Sequence, residues 1–438
     1  MRQLARFASR FDAHDHEIFR GASVAFVLRG VGAGLAFAFN VVVARLLGPE
    51  GAGLYFLALS VTMIGSVVAR IGLDNSVLRF VSAGAALQDW GRVRGAFRLA
   101  MGGALIASGG LALGCILFAA PIAGRVFDAP QLAGPLRYAG AAIVSFSMMS
   151  LLSESLKGLK QIGPSMLVAG ALYPLFGLVL IWPAVRLMGP QGASAAYLGA
   201  TGLAALVGWG LWRRQLAGHE APARFALAEL WASCRPLWLM SIVTRAILPW
   251  APVFLLGLWA DGSEAGIFGA ATRVALLVSF FLVSVNTILA PKLSELFVRG
   301  EITTLRRLAS RMTLGLCLLT SPLFALLIFQ GGAVMRLFGP EFAKGGAVLG
   351  VLAIGQAVTV SSGAAGQILM MTGNERIMGT LSLLACAVLL GLSWLLIPAY
   401  GMLGAAIANA VCMAIVNLGA LLFSARVIAG LQTSGGAA

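Results

Sequence analysis

Long apolar runs alternate with short polar connections along the chain. Each run is about 20 residues or more, enough for a helix to cross a hydrocarbon core about 30 Å thick at about 1.5 Å per residue. Twelve such runs follow one another, at roughly 19–45, 53–74, 95–119, 134–155, 163–187, 192–212, 235–258, 265–290, 308–330, 346–371, 376–398 and 401–425. The period-2 alternation of a membrane β-barrel is absent. The pattern predicts an all-α polytopic membrane protein with about twelve transmembrane helices. The longest connections, 75–94, 213–234 and 291–307, leave no room for a soluble domain.

The pattern is also duplicated. The first run ends at Ala44-Arg45-Leu46-Leu47, Gly48 and Pro49 stop it, and Glu50 with two further glycines is expected to form a tight turn before Gly53-Leu54-Tyr55 opens the second run. A weaker copy stands 213 residues later, with Gly53-Leu54-Tyr55 aligned on Gly266-Ile267-Phe268. Arg79 aligns on Lys292 and Arg98 on Arg311 at the same offset. Val126-Phe127 aligns on Leu337-Phe338 at 211, and Gly192-Ala193 on Gly404-Ala405 at 212. The repeated unit is six helices. An even number returns the chain to its starting side, so both halves share one orientation, related by an axis along the membrane normal. The expected division is a tail at 1–18, a six-helix bundle at 19–212, a linker at 213–234, a second bundle at 235–425 and a tail at 426–438.

Composition sharpens this reading. Of 438 residues, 59% are hydrophobic and only 11% charged, against about 25% charged in soluble domains. The first twenty residues mix Asp12, Asp15 and Glu17 with four arginines and contain no apolar core, so they do not read as a cleavable signal. They suit either a surface helix or a cytoplasmic tail. Cys115, Cys234, Cys317, Cys386 and Cys412 lack paired spacing, and the three histidines lie in polar segments. This argues against a disulfide framework, a metal site or a resident cofactor. The net charge of +15 is largely topogenic. With the N-terminal tail taken as one side, that side carries 22 Lys and Arg and the other 6 (Arg45, Arg125, Arg137, Arg186, Arg336, Lys344). Both termini are therefore expected in the cytoplasm.

Three arginines remain inside the runs: Arg29, Arg245 and Arg273. An arginine near the bilayer centre costs at least about 2.5–3.5 kcal/mol and by default faces a cavity or a partner. Arg29 follows Arg20 by nine residues, and Arg245 follows Arg235 by ten, at equivalent places in the two halves. Two-fold symmetry would set Arg29 and Arg245 facing each other; snorkelling to the interface is the alternative. Arg273 enters from the other side, with a helix–helix hydrogen bond as its alternative role. Acidic residues are scarce. Asp74 is expected to cap or pair with Arg79, and Glu154 to pair with Lys157, which leaves no buried carboxylate pair for acid/base work or an organic cation. Asn40, Asn286, Gln356, Asn409 and Asn417 suit interhelical bonds, with Asn40 and Gln356 also candidates for sugar hydroxyls. Gly30-x-x-x-Gly34, Gly110-x-x-x-Gly114 and Gly346-x-x-x-Gly350 suit close helix contacts. Pro249 and Pro252 are expected to break or bend the seventh run beside Arg245.

At this point ARLLGPEGAGLY at 44–55 and IGLDNSVLRFVSAG at 71–84, with the echo GLWADGSEAGIFGAATRV at 257–274, resemble the Wzx-like polysaccharide-repeat flippases. These serve O-antigen, capsule and exopolysaccharide synthesis, within the multidrug/oligosaccharidyl-lipid/polysaccharide exporter superfamily. The resemblance covers nearly the whole chain. It implies two six-helix bundles in a V around a central cavity that opens alternately to either side. It implies movement of an undecaprenyl-pyrophosphate-linked oligosaccharide to the outer leaflet of a bacterial inner membrane. A cationic cavity is typical of the family and matches Arg29, Arg245 and Arg273. Twelve spans fit the oligosaccharide branch better than the peptidoglycan-precursor flippases, which usually have fourteen.

The implied partners are the lipid-linked oligosaccharide, membrane lipids, polysaccharide polymerase or export machinery, and a coupling ion. No nucleic acid or cofactor is implied, and no nucleotide-binding loop is present. Three other readings compete. A drug/cation antiporter needs a buried carboxylate. A polysaccharide-assembly enzyme needs a sizeable outer loop. A scaffold would leave symmetric intramembrane arginines without a purpose. The charge bias carries a direct test of topology: reporter fusions at residue 188 should read periplasmic and at residue 218 cytoplasmic, and the reverse at either site contradicts it.

Overall fold

The computed structural model describes residues 13–219 and 221–434. Of the expected tails, 1–12 and 435–438 lie outside the described residues, as does the side chain of Arg20, while 13–18 and 426–434 continue the first and last helices. The chain is nearly all helix, the only open element that satisfies its own backbone in lipid. The first half contains α1 (Ala13–Arg70), α2 (Leu73–Ala86), α3 (Trp90–Leu117), α4 (Ala119–Arg125), α5 (Ala133–Gly158), α6 (Ile162–Met166), a π-helical segment (Leu167–Leu172), α7 (Tyr173–Met188) and α8 (Gly192–Gln215). The second contains α9 (Leu227–Ser241), a π-helical segment (Ile242–Ile247), α10 (Leu248–Trp259), α11 (Gly262–Val298), α12 (Ile302–Phe329), α13 (Gly331–Met335), α14 (Gly346–Ser362), α15 (Ala365–Met371) and α16 (Glu375–Ser434). Among the described residues, eight helical stretches are long and apolar enough to cross a membrane. Three of them, Val27–Arg70, Ile162–Gln215 and Glu375–Ala429, each hold two of the expected spans. With α11 this accounts for twelve.

Two expectations need correction. The Gly48 turn is tighter than a loop: only Gly48 leaves helical geometry (φ 66, ψ −178), and Glu50, Gly51 and Gly53 already belong to the next helix. Pro49 explains this, because the first position of a helix has no use for an N–H and favours proline's fixed φ. The polar stretch 75–94 is largely helix α2, which buries Leu73, Val77, Phe80 and Val81. The π segments also have a local cause. Each runs directly into an X-Pro step, Tyr173-Pro174 or Leu248-Pro249. Proline removes one i→i−4 bond and crowds that carbonyl, so the turn before it widens. Pro249 thus opens a wide turn around Arg245, whereas Pro252 sits within continuous helix and does not break it.

The duplication is visible in backbone detail. Gly189 (φ 64, ψ −142) and Gly401 (φ 53, ψ −133) make the same left-handed kink 212 residues apart. Asp128 and Gly339 share positive φ at an offset of 211. Ser108 and Thr320, 212 apart, each donate back to the carbonyl four residues earlier, at 2.6 and 2.8 Å.

The halves meet most intimately where α1 crosses α11. A Cβ on Gly53 would collide with the carbonyl of Gly262, and one on Gly266 with the carbonyl of Pro49. These are repeat-equivalent pairs, so the contact is reciprocal, as a two-fold interface requires. Aromatic wedges flank it. Phe127 of the first half packs edge-on against Phe254 of the second (5.3 Å), and Phe338 of the second against Phe37 of the first (5.6 Å). Arg45 donates its Nε to the carbonyl of Leu337 at 2.8 Å. At the opposite end, Trp238 Nε1 donates to the Val68 carbonyl (3.3 Å), and the chain before α9 leans on the first half through Arg224 N to Gly91 O (2.9 Å).

This crossing predicts an asymmetric response among neighbouring glycines. Gly53→Val should destabilise the protein by about 1–3 kcal/mol through overpacking against main chain, while Gly262→Ala, whose Cβ would meet open space, should leave thermal unfolding of the detergent-solubilised protein unchanged. Equal melting temperatures for both variants would contradict the crossing.

Candidate functional site

Two charged groups lie on the face between the halves. The first is built on Asp74, near the start of α2 and only 6% exposed. Arg70, four residues earlier, reaches it from the end of α1 at 2.9 Å, with both side chains buried. Arg245, from the π segment of the second half, reaches the same carboxylate at 3.4 Å with 47% of its side chain exposed. Asp74 therefore joins the halves. This corrects the expectation that Asp74 pairs with Arg79: it pairs with Arg70 and Arg245, and both Asp74 and Arg70 are buried. Two guanidiniums against one carboxylate leave a net positive charge. Arg70 Nη1 is buried without a hydrogen-bond partner. Its guanidinium also lies over the Phe146 ring at 5.7 Å.

The second group is built on Arg273 of α11. Its guanidinium sits over Trp250 of α10 (4.8 Å) and over Phe56 of α1 (5.5 Å), so its cation–π contacts come from both halves. Tyr55, Tyr173 and Tyr197 lie within its electrostatic reach. Tyr197 also lies within that of Arg70, stacks on Phe146 and meets Tyr173 edge-on (6.1 Å). The Tyr197 hydroxyl is buried without a partner. The two arginine groups are thus linked by an aromatic, hydroxyl-bearing wall.

The remaining candidates fall in different places. Arg29 is half-buried on α1, one turn before Gly32, which approaches the Gly170 carbonyl of the first π segment. Asn40 is buried and donates back to the Ala36 carbonyl at 2.6 Å, leaving its own oxygen unpartnered. Gln356 is buried and bonded to Ser279 of α11, a tie between helices. Asn417 ties α16 to Thr359 (3.0 Å) and Ser362 (3.2 Å) of α14. Glu154 pairs with Lys157 at 3.1 Å. The glycine pairs divide. Gly346 packs against Gly331 and Gly332 main chain, but Gly34, Gly110 and Gly114 meet nothing where a Cβ would stand. Those three are not at a close helix contact, because no helix covers that face of theirs.

Sequence reasoning missed Arg70, Tyr55, Tyr173, Tyr197, Phe56 and Trp250. For Arg70 a signal was present: Arg and Asp four apart share a helical face and pair. The aromatic residues carried none, since an isolated Tyr or Phe in an apolar run reads as packing.

Comparison with known proteins gives the family and the fold. The model of the family described as polysaccharide biosynthesis protein matches residues 18–297. The probable low-salt glycan biosynthesis flippase Agl15 of Haloferax volcanii is 24% identical over 407 residues, 91% of this chain and 82% of that protein. The capsular polysaccharide biosynthesis protein CapF of Staphylococcus aureus is 28% identical over 148 residues, 32% of this chain and 36% of that protein. In fold, the chain is similar to an inward-facing multidrug resistance MATE family transporter of the MOP superfamily, with a TM-score of 0.75 at 15% identity over 94% of this chain and 99% of that one. It is equally similar to the lipid II flippase MurJ in an inward closed conformation, with a TM-score of 0.75 at 14% identity over 91% and 87%. The shared fold is two six-helix repeats in a V around a central cavity. The family match spans more than half the sequence, and the chain belongs to the polysaccharide biosynthesis protein family as a multi-pass membrane member.

Proposed function

We propose that the chain is a flippase that moves undecaprenyl-pyrophosphate-linked oligosaccharide repeat units from the cytoplasmic to the outer leaflet by alternating access. The observation that carries this reading is that Arg245 and Arg273 of the second half reach across the shared face to Asp74 and Phe56 of the first, where Arg70 adds a third guanidinium. A lipid-linked sugar cannot cross unaided, because its diphosphate would enter hydrocarbon unpaired. Guanidiniums offer it charge-assisted, bidentate bonds. Arg245, partly open and held by a shared carboxylate, is placed to exchange Asp74 for a diphosphate. Arg273 and Arg29 complete the cationic path, and Asn40 and Gln356 are the proposed sugar contacts. No covalent step is needed. The energy comes from a coupling ion or from removal of product by the polymerase and export machinery.

The reading includes a topology. The charge bias puts the Arg70 end in the cytoplasm with both termini, in a bacterial inner membrane. Residues 19–212 and 235–425 are then the two bundles, joined by 213–234. Gly48, Pro49, Gly53 and Arg45 lie at the outer rim, and the wide turn before Pro249 and Pro252 lets the seventh span flex. Asp74 favours one other reading, a drug/cation antiporter. Its charge is already offset by Arg70 and Arg245, however, so an organic cation would meet a net repulsive site.

The test is leaflet exchange of an undecaprenyl-pyrophosphate-linked oligosaccharide in proteoliposomes. Wild type should exchange it; Arg245→Ala and Arg273→Ala should each lose about tenfold or more, as expected for a charged hydrogen bond worth about 1.5–3 kcal/mol. Lysine at either position should restore only part, since it keeps the charge but loses the planar fork. Absence of exchange by a folded wild type, or full activity of both alanine variants, would contradict the reading.

A further inference from the structure

An apolar groove of about 800 Å³ lies against the first half, outside the arginine groups. Its walls include Val61, Gly65 and Val68 of α1, Gly110 and Gly114 of α3, and Phe254 of α10. It therefore straddles the seam between the halves. The glycines form its floor: Gly110 and Gly114 show the spacing of a helix–helix contact, yet open space lies where their side chains would stand.

The second half lacks these glycines. At the 213 offset of the α1–α11 crossing, Gly65 corresponds to Val278, which is fully buried. At the 212 offset that superposes Ser108 on Thr320, Gly110 and Gly114 correspond to Pro322 and Leu326. The groove thus belongs to one copy of the repeat. Shared architecture does not explain it.

One end of the groove adjoins the buried charges. Val68 lines it at the depth of Arg70 on α1, though on another face of that helix. Ile143 lines it, and Phe146, which lies under the Arg70 guanidinium, shares its face of α5 at i+3. An apolar trough therefore leads to a cluster with net positive charge, the complement of an amphiphile with an anionic head and a long hydrocarbon chain. Arg125 lines the other end.

We propose that this groove seats the isoprenoid chain of the lipid-linked substrate while its anionic head engages the Arg70–Asp74–Arg245 cluster. This rests on the flippase reading and adds where the lipid rides. It gives Gly110 and Gly114 a purpose: each keeps the trough deep enough for a chain to lie in van der Waals contact beside the seam, while Gly65 lets Ile143 of α5 pack close.

The test uses the full-length protein in nanodiscs and a polyprenyl diphosphate with a photoactivatable diazirine on its terminal isoprene. Labelling should fall on the 61–68 stretch of α1, the 110–114 stretch of α3 or Phe254. Excess unlabelled polyprenyl diphosphate should suppress it, and excess phosphatidylglycerol should not. Gly110→Leu with Gly114→Leu should abolish the label and weaken polyprenyl diphosphate binding about tenfold or more, because the chain loses its apolar contact. Both sites are open and leucine favours helix over glycine, so the variant should fold. Its affinity for a water-soluble sugar diphosphate should match wild type. Labelling elsewhere, equal competition by phosphatidylglycerol, or unchanged polyprenyl binding in the filled variant would overturn the groove. Failure of wild type to bind the sugar diphosphate would instead count against the flippase reading, since the groove is judged from the label's position, its competition and the polyprenyl affinity.

Discussion

The two halves touch through main chain where α1 crosses α11. With glycine at 53 and 266, the carbonyls of Gly262 and Pro49 approach to a distance that no side chain permits. In lipid, where apolar side chains gain little by leaving one apolar medium for another, close backbone approach and dispersion supply much of the association. The crossing also sets the register of what surrounds it. Phe127 and Phe338 wedge across the seam on either side, and three residues beyond Gly53, Phe56 reaches Arg273. One contact thus fixes both the two-fold relation of the halves and the position of one arginine group.

The other constraint is charge. Arg70 and Asp74 are almost wholly removed from solvent, and removing one partner of such a pair costs about 3–5 kcal/mol because the other is left uncompensated. Arg245 is different: it is half-exposed and comes from the second half. The same carboxylate thus serves as an internal anchor for α1 and α2 and as a tie between the halves, and only the tie is accessible to a competing anion. A diphosphate that drew Arg245 away would weaken the contact holding the halves together at that end. Substrate binding and bundle movement would then share one ion pair.

Much of the fold was legible because its determinants are local and periodic. Run lengths gave the spans, and Gly-Pro at 48–49 and landmarks at offsets of 211–213 gave the repeat. The extent of the turn was misjudged at Glu50 and Gly51, because proline at a first helical position lets the next helix start at once. The polar stretch after Asp74 hid a helix, since that helix is too short to span a membrane and its buried face beyond Asp74 carries few large apolar residues, Val77, Phe80 and Val81. At the site, Arg245 and Arg273 stood out as charges inside apolar runs. Arg70 did not, because its place at the end of a span is also that of a topogenic charge, and only its contacts with Asp74 of α2 and Phe146 of α5 reveal its burial. Gly110 and Gly114 were misread for a related reason: the spacing that admits a neighbouring helix also admits a lipid chain.

In the proposed cycle the glycine crossing is the seam at which the halves part. The most direct measurement joins it chemically. In a variant with the native cysteines replaced, cysteines at Glu50 and Ser263, repeat-equivalent positions beside the crossing, are linked by a short bismaleimide, and leaflet exchange of a lipid-linked oligosaccharide is followed in proteoliposomes. The account predicts that the link forms in high yield and stops exchange, and that cleaving a reducible version of the linker restores it. Full exchange with the link intact would show that the crossing stays closed throughout the cycle and would contradict the account.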